Sequence, residues 1–166
     1  MEAAPTLRVR TVTAFVSLRR AGGAEAWEGT IARAAEVLSR ARTLLEGRGF
    51  EVQTVRLATQ NFASYLDLRT STSAAEGAKS VEEICQRHGI TFISIGGTGR
   101  VLDDDSCGYI PEILAATSGV FCNVQIDEQA RLQEQCEAAA SCVSRLARGR
   151  ESEASSDCFR FTVCSR

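Results

Sequence analysis

Ile90-Thr-Phe-Ile-Ser-Ile-Gly-Gly-Thr-Gly-Arg100 runs five β-favouring residues, with one serine among them, straight into a glycine-rich turn. Such a run reads as a central strand that delivers a loop to one edge of a sheet, the edge where α/β folds keep their chemistry. On its N-terminal side, Ala78, Val81, Cys85 and His88 fall on one stripe of a helix expected from about Ala74 to His88, which Gly89 closes. A polar connection, residues 60–73, is expected to be irregular and separates that helix from a strand over Glu51–Thr59. Further back, Trp27, Ile31, Ala34, Leu38, Ala41 and Leu45 recur at steps of three and four, a sheet-facing helix over Ala24–Arg48 with Gly47 and Gly49 as stop signals. The first strand is Arg8–Leu18, ended by Arg19-Arg20-Ala-Gly-Gly.

On the C-terminal side, Val101–Gly108 carries three consecutive aspartates and reads as loop. Pro111 suits the first turn of a short helix to about Thr117, where its missing N–H has no partner to lose. Val120–Ile126 is a strand, Asp127 suits an N-cap, and Leu132, Cys136, Ala139, Val143 and Leu146 mark a helix to about Arg148. After a polar connection, residues 149–157, the alternation in Cys158-Phe-Arg-Phe-Thr-Val-Cys164 marks a last strand. The order βαβαβαβαβ implies a single α/β domain over residues 1–166 with a mainly parallel five-stranded sheet. No repeat of the solenoid type is present.

Parallel strands covered on both faces read as near-continuous apolar runs, and several of these do not. Polar residues recur at alternate positions, Thr11 and Thr13, Thr54 and Arg56, Asn123 and Gln125, Arg160 and Thr162, with Ser94 inside the third strand. If these share a side, the sheet has one helix-covered face and one polar face. Sequential strands with right-handed crossovers give that arrangement, a half-barrel with all helices on one face. The other reading is an ordinary doubly wound sheet whose polar residues lie at strand ends.

Composition bounds the function. A net charge of -2 argues against a nucleic-acid binder working by bulk electrostatics. No apolar run approaches the roughly 18 residues of a membrane span, and the first six residues do not resemble a targeting peptide. Seven cysteines, with no Cys-x-x-Cys among them, point to buried thiols in a reducing compartment, so the cytoplasm is the expected location.

Several motifs together resemble the uncharacterised family known as domain of unknown function 711. They are Arg8-Val-Arg-Thr-Val-Thr, Val52-Gln-Thr-Val-Arg-Leu-Ala-Thr with Asn61-Phe62 after it, Phe92-Ile-Ser-Ile-Gly, Tyr109-Ile-Pro-Glu-Ile and Phe159-Arg-Phe. The resemblance implies a fold related to the ten-stranded barrel of pyruvate formate-lyase-like enzymes, of which this chain would supply the N-terminal, five-stranded half. It implies no activity, since the family has no established one. Asp157-Cys158 stands where that family's pattern leads one to expect Gly-Asn.

Candidate chemistry is sparse. Gly96-Gly97-Thr98-Gly99-Arg100 can cradle an anion with backbone N–H groups, a hydroxyl and a guanidinium. It is neither a Walker loop nor a dinucleotide fingerprint, because Leu102 holds the third glycine's place, and a plain turn explains the glycines equally. Asp103, Asp104 and Asp105 offer carboxylates of the kind magnesium takes, although adjacent loop aspartates are usually just solvated, and no metal is assigned. Cys107-Gly108-Tyr109 lacks the Arg-Val that a glycyl-radical motif requires. Cys122 and Cys136 are expected in the core, and His88, the lone histidine, suits the helix C-terminus electrostatically.

Arg56 and Arg160 are the sharpest candidates. Each is expected inside a strand on the polar face, where a guanidinium is costly to desolvate without an anion. With Gly96, Gly97, Thr98, Gly99 and Arg100 they are expected to form an anion site at the mouth of the concavity. Two functions follow as expectations: a domain that binds a small anionic ligand without a cofactor, or an assembly module that completes a barrel with a partner half or a second copy. The expected partners are thus a small molecule or another protein half, and neither nucleic acid nor membrane.

Overall fold

The structure, a computed structural model, describes residues 7–97, 104–126, 131–148 and 159–165, with the backbone alone for 104–107 and 165. Five strands, β1 (Arg8–Val16), β2 (Glu51–Thr59), β3 (Phe92–Gly97), β4 (Val120–Ile126) and β5 (Phe161–Ser165), alternate with α1 (Gly23–Glu46), α2 (Ser71–Arg87), α3 (Asp104–Ala116) and α4 (Leu132–Ala147). The strands lie in sequential order β1-β2-β3-β4-β5, and every neighbouring pair is parallel. Among the described residues no helix is long and apolar enough to cross a membrane.

One core cluster unites the helices. It takes Trp27, Ile31 and Leu38 from α1, Val81 and Cys85 from α2, Ile110, Ile113 and Leu114 from α3, and Ala139, Cys142 and Leu146 from α4. From the sheet it takes Leu57, Ile93, Ile95, Val120, Cys122 and Val124. Register places these strand residues on a single side, since Leu57 pairs with Ile93 and Ile93 with Val120. Their neighbours at alternate positions therefore face away from every helix. The sheet is a half-barrel, not closed, with its helices on one face. The doubly wound alternative is excluded because no helix packs on the second side among the described residues.

Several boundaries depart from the sequence reading for local reasons. The helix expected from Ala74 begins at Ser71, because Thr70 and Ser73 exchange side-chain and backbone hydrogen bonds in a capping box. The connection before it holds a short turn of 3-10 helix at Phe62–Ser64, capped by the Asn61 side chain. Residues 104–108, expected as loop, are already α3, which carries Pro111 in its interior and not in its first turn; the ring forfeits one intrahelical bond. Arg131, in a left-handed conformation with φ 48°, precedes α4, and the N-cap expected at Asp127 lies outside the described residues. The last strand starts at Phe161, so Arg160 belongs to the turn before it.

Candidate functional site

The open face begins as a hydroxyl ladder. Thr11 pairs with Thr54 in register, their Oγ1 atoms are 2.8 Å apart, and Thr54 Oγ1 donates to the Arg10 carbonyl at 2.7 Å. Arg56 follows on β2, opposite Thr13 of β1 and Phe92 of β3. Its guanidinium carbon lies 5.6 Å from the centroid of Phe121 on β4, so the side chain crosses β3 to reach that ring. The Arg56 Nε is shut away from solvent and has no hydrogen-bond partner among the described residues. Phe121 in turn stands 5.9 Å from Phe92, tilted at 35°, and 6.4 Å edge-on from Phe159.

Toward the C-terminal ends of the strands, the same face presents Ser94, which is level with Ala58 and Phe121, and then Asn123 and Gln125. Gly96 has φ 71°, and a Cβ there would lie 2.7 Å from the Gln60 carbonyl oxygen. At Gly97 a Cβ would meet the Asn123 carbonyl at 2.6 Å. Both glycines are therefore required by close backbone approach where β3 leaves the sheet with a shift of register against β4. Gln60 ties down the neighbouring segment: its side-chain amide accepts from Leu18 N at 3.0 Å and donates to Leu18 O at 2.6 Å, satisfying both backbone groups of Leu18 just past β1.

Arg160 lies elsewhere. Its side chain is buried, with Nη2 donating to the Leu114 carbonyl at 2.7 Å and Nη1 to Val120 O and Thr117 Oγ1, both at 3.2 Å. Those acceptors gather at the C-terminal end of α3, a helix with no basic residue in its own last turn. Arg160 supplies the positive charge that the carbonyl end of the helix dipole favours. The structure does not bring the Arg160 guanidinium and Gly96 together, because that side chain is turned to the end of α3 while Gly96 ends β3 against Gln60. Thr98, Gly99 and Arg100 lie outside the described residues, as does Asp103.

The remaining candidates are structural. His88 caps α2, and its Nε2 lies 2.7 Å from Glu28 Oε1 on α1, while Arg87 pairs with the same carboxylate. Cys122 and Cys85 are buried, and burial pushes each thiol up to about 12. Cys136, expected in the core, is exposed on α4; the helix buries Gln135, Ala138, Ala139 and Cys142, a stripe one residue out of phase with the expected one. Among the described residues no cluster of His, Cys, Asp and Glu could hold a metal ion. The sequence reading passed over the phenylalanines of the open face, although Phe92 alternates with Ser94, and Phe121 with Asn123, by the same period that marked the polar residues.

No curated protein matches the chain. The model of the family described as Uncharacterised ACR (DUF711) matches residues 1–166. The chain belongs to the DUF711 family.

Proposed function

We propose that this chain is a small-molecule-binding domain that recognises an anion on the open face of its sheet, with Arg56 as the cation. The observation that carries this reading is the environment of Arg56. Its Nε is desolvated without a hydrogen-bond partner among the described residues, and its guanidinium rests on a phenylalanine ring instead of a carboxylate. A cation held that way keeps its two outer nitrogens for a bidentate oxyanion partner. The open-face positions of the strands, from Thr11 and Thr13 through Thr54, Ser94, Asn123 and Gln125 to Thr162, hold no aspartate or glutamate among the described residues. Among the described residues nothing acidic on the face competes for the guanidinium.

The test is a titration of phosphate, sulfate and small dicarboxylates into the wild type and Arg56→Ala, following melting temperature. At least one anion is expected to stabilise the wild type and leave the variant unmoved. Equal shifts in both proteins would reject the site.

A second reading, an assembly module, is favoured by a separate observation. Phe15 on the open face and Phe159 beside β5 are 83% and 80% exposed, and Leu7, Val37 and Leu44 are also exposed apolar residues. A partner half or a second copy, as the half-barrel relationship implies, would cover such positions. Mass measurement in solution across a concentration series separates this from a monomeric binding domain.

A further inference from the structure

We infer that the anion bound on this face is a small organic monocarboxylate carrying one apolar ring, held between the guanidinium of Arg56 and the phenylalanines of β3 to β5. This rests on the anion-binding reading of Arg56 and goes on to name the ligand class. It follows from what surrounds the cation. Strands lie about 4.8 Å apart, so a side chain rooted on β2 whose guanidinium reaches Phe121 on β4 places its charge above β3. From there the aromatic surface continues outward: Phe92 and Phe121 have centroids 5.9 Å apart, and Phe121 and Phe159 6.4 Å.

An inorganic anion would engage Arg56 and leave that surface in water. Phe92 is 36% exposed and Phe159 80%. A carboxylate attached to a ring satisfies both halves of the surface at once. The carboxylate takes the guanidinium's outer nitrogens, and the ring lies against Phe121 and Phe159 within the 4.5–7 Å centroid range that aromatic pairs prefer. Phe121 and Phe159, edge-on with centroids 6.4 Å apart, form one continuous aromatic surface against which a ligand ring can lie beyond the carboxylate. Charge complementarity fixes the sign of the ligand, because Arg56 faces threonine and serine hydroxyls and rings, with no carboxylate on the open face among the described residues.

The experiment uses the full chain and four probes, acetate, inorganic phosphate, 3-phenylpropionate and the neutral 3-phenylpropionamide, read by melting temperature and by calorimetric titration. Expected is binding of 3-phenylpropionate at least about tenfold tighter than acetate, with the amide much weaker than the acid. Arg56→Met is expected to abolish the acid-over-amide preference, and Phe159→Ser, at an exposed position that leaves the core intact, to shrink the ring-over-acetate preference. If phosphate and acetate bind in an Arg56-dependent way but the ring adds nothing, the ligand class is overturned while the anion reading survives. If no anion binds, both fall. If the amide binds as well as the acid, or if the face proves occluded by self-association that Phe159→Ser relieves, the inference is overturned in favour of a plain apolar contact surface.

Discussion

Two arginines with similar sequence surroundings have different environments, and the difference lies in what the chain places around each. Arg160 is 5% exposed and donates to the last turn of α3 and to the turn that follows it. Replacing it with alanine strands desolvated carbonyls and removes the counter-charge from the helix end, a loss of about 3 kcal/mol. For a domain of this size the melting temperature should fall by roughly 6–12 °C. Arg56→Ala removes a guanidinium resting on Phe121, worth about 0.5–1 kcal/mol, and should shift melting by no more than roughly 4 °C. Comparing the two thermal denaturation curves checks both; equal losses would contradict the division. Gly96 makes a third residue-scale test. With φ 71° and a Cβ position 2.7 Å from the Gln60 carbonyl, alanine there should cost about 1–3 kcal/mol. The glycines of this turn were legible as a special backbone, but the neighbouring chain segments that demand them are distant in sequence. For the same reason nothing in Phe159-Arg160-Phe161 announced that the guanidinium would turn from the sheet to a helix end.

The helices were legible from their periodicity, and their ends were less so because caps and packing decide them. Thr70 and Ser73 start α2 three residues before its apolar stripe does, and Cys136 lies outside α4's buried stripe because that helix meets the core through Gln135, Ala138, Ala139 and Cys142. Between elements, the contact most open to test is the clamp joining α1 to the end of α2. Glu28 accepts from Arg87 and sits 2.7 Å from His88 Nε2, and these hydrogen bonds, His88's first and then Arg87's, hold its carboxyl below the ordinary glutamate value of 4.5. A depressed carboxyl contributes stability that is present above the unfolded-state value and is lost as pH falls through the folded one. Stability should therefore fall with acid below about pH 4.5, and Glu28→Gln should lower stability at neutral pH and flatten that limb, so that the two proteins converge in acid. Denaturant midpoints measured from pH 3 to 7 decide it; an unchanged acid slope in the variant would remove the clamp from the account.

At the scale of the whole molecule, the described helices form one layer over one face of the sheet and none lies on the second, and the alternation of polar with apolar strand residues carried that asymmetry in the sequence. Thr11, Thr13, Thr54, Arg56, Ser94, Asn123, Gln125 and Thr162 fall on one side because the parallel register never loses phase from β1 through β2 to the start of β3, and it recovers between β4 and β5 after the shift near Gly97. Missing from that reading was the aromatic content of the face, since a phenylalanine within a strand looks like core until a structure shows that the described helices pack on the other side. The cysteines report on this coverage directly. Cys85, Cys122 and Cys142 lie under the helix layer, and for Cys85 and Cys122 burial raises the thiol to about 12, so essentially no thiolate exists at pH 8. Cys164, paired in register with Gln125, is exposed beside the open face, and Cys136 is exposed on α4. Native labelling with iodoacetamide at pH 8, followed by peptide mass mapping, should modify Cys136 and Cys164 quickly and the three buried thiols only on the timescale of unfolding. The pair also separates the two functional readings. A small ligand at Arg56 leaves both exposed thiols reactive, whereas a partner half or a second copy laid over the open face shields Cys164 as protein concentration rises and leaves Cys136 unchanged. Uniform reactivity of Cys85, Cys122 and Cys142 with the exposed pair would instead show that the helix layer does not stay seated on the sheet in solution.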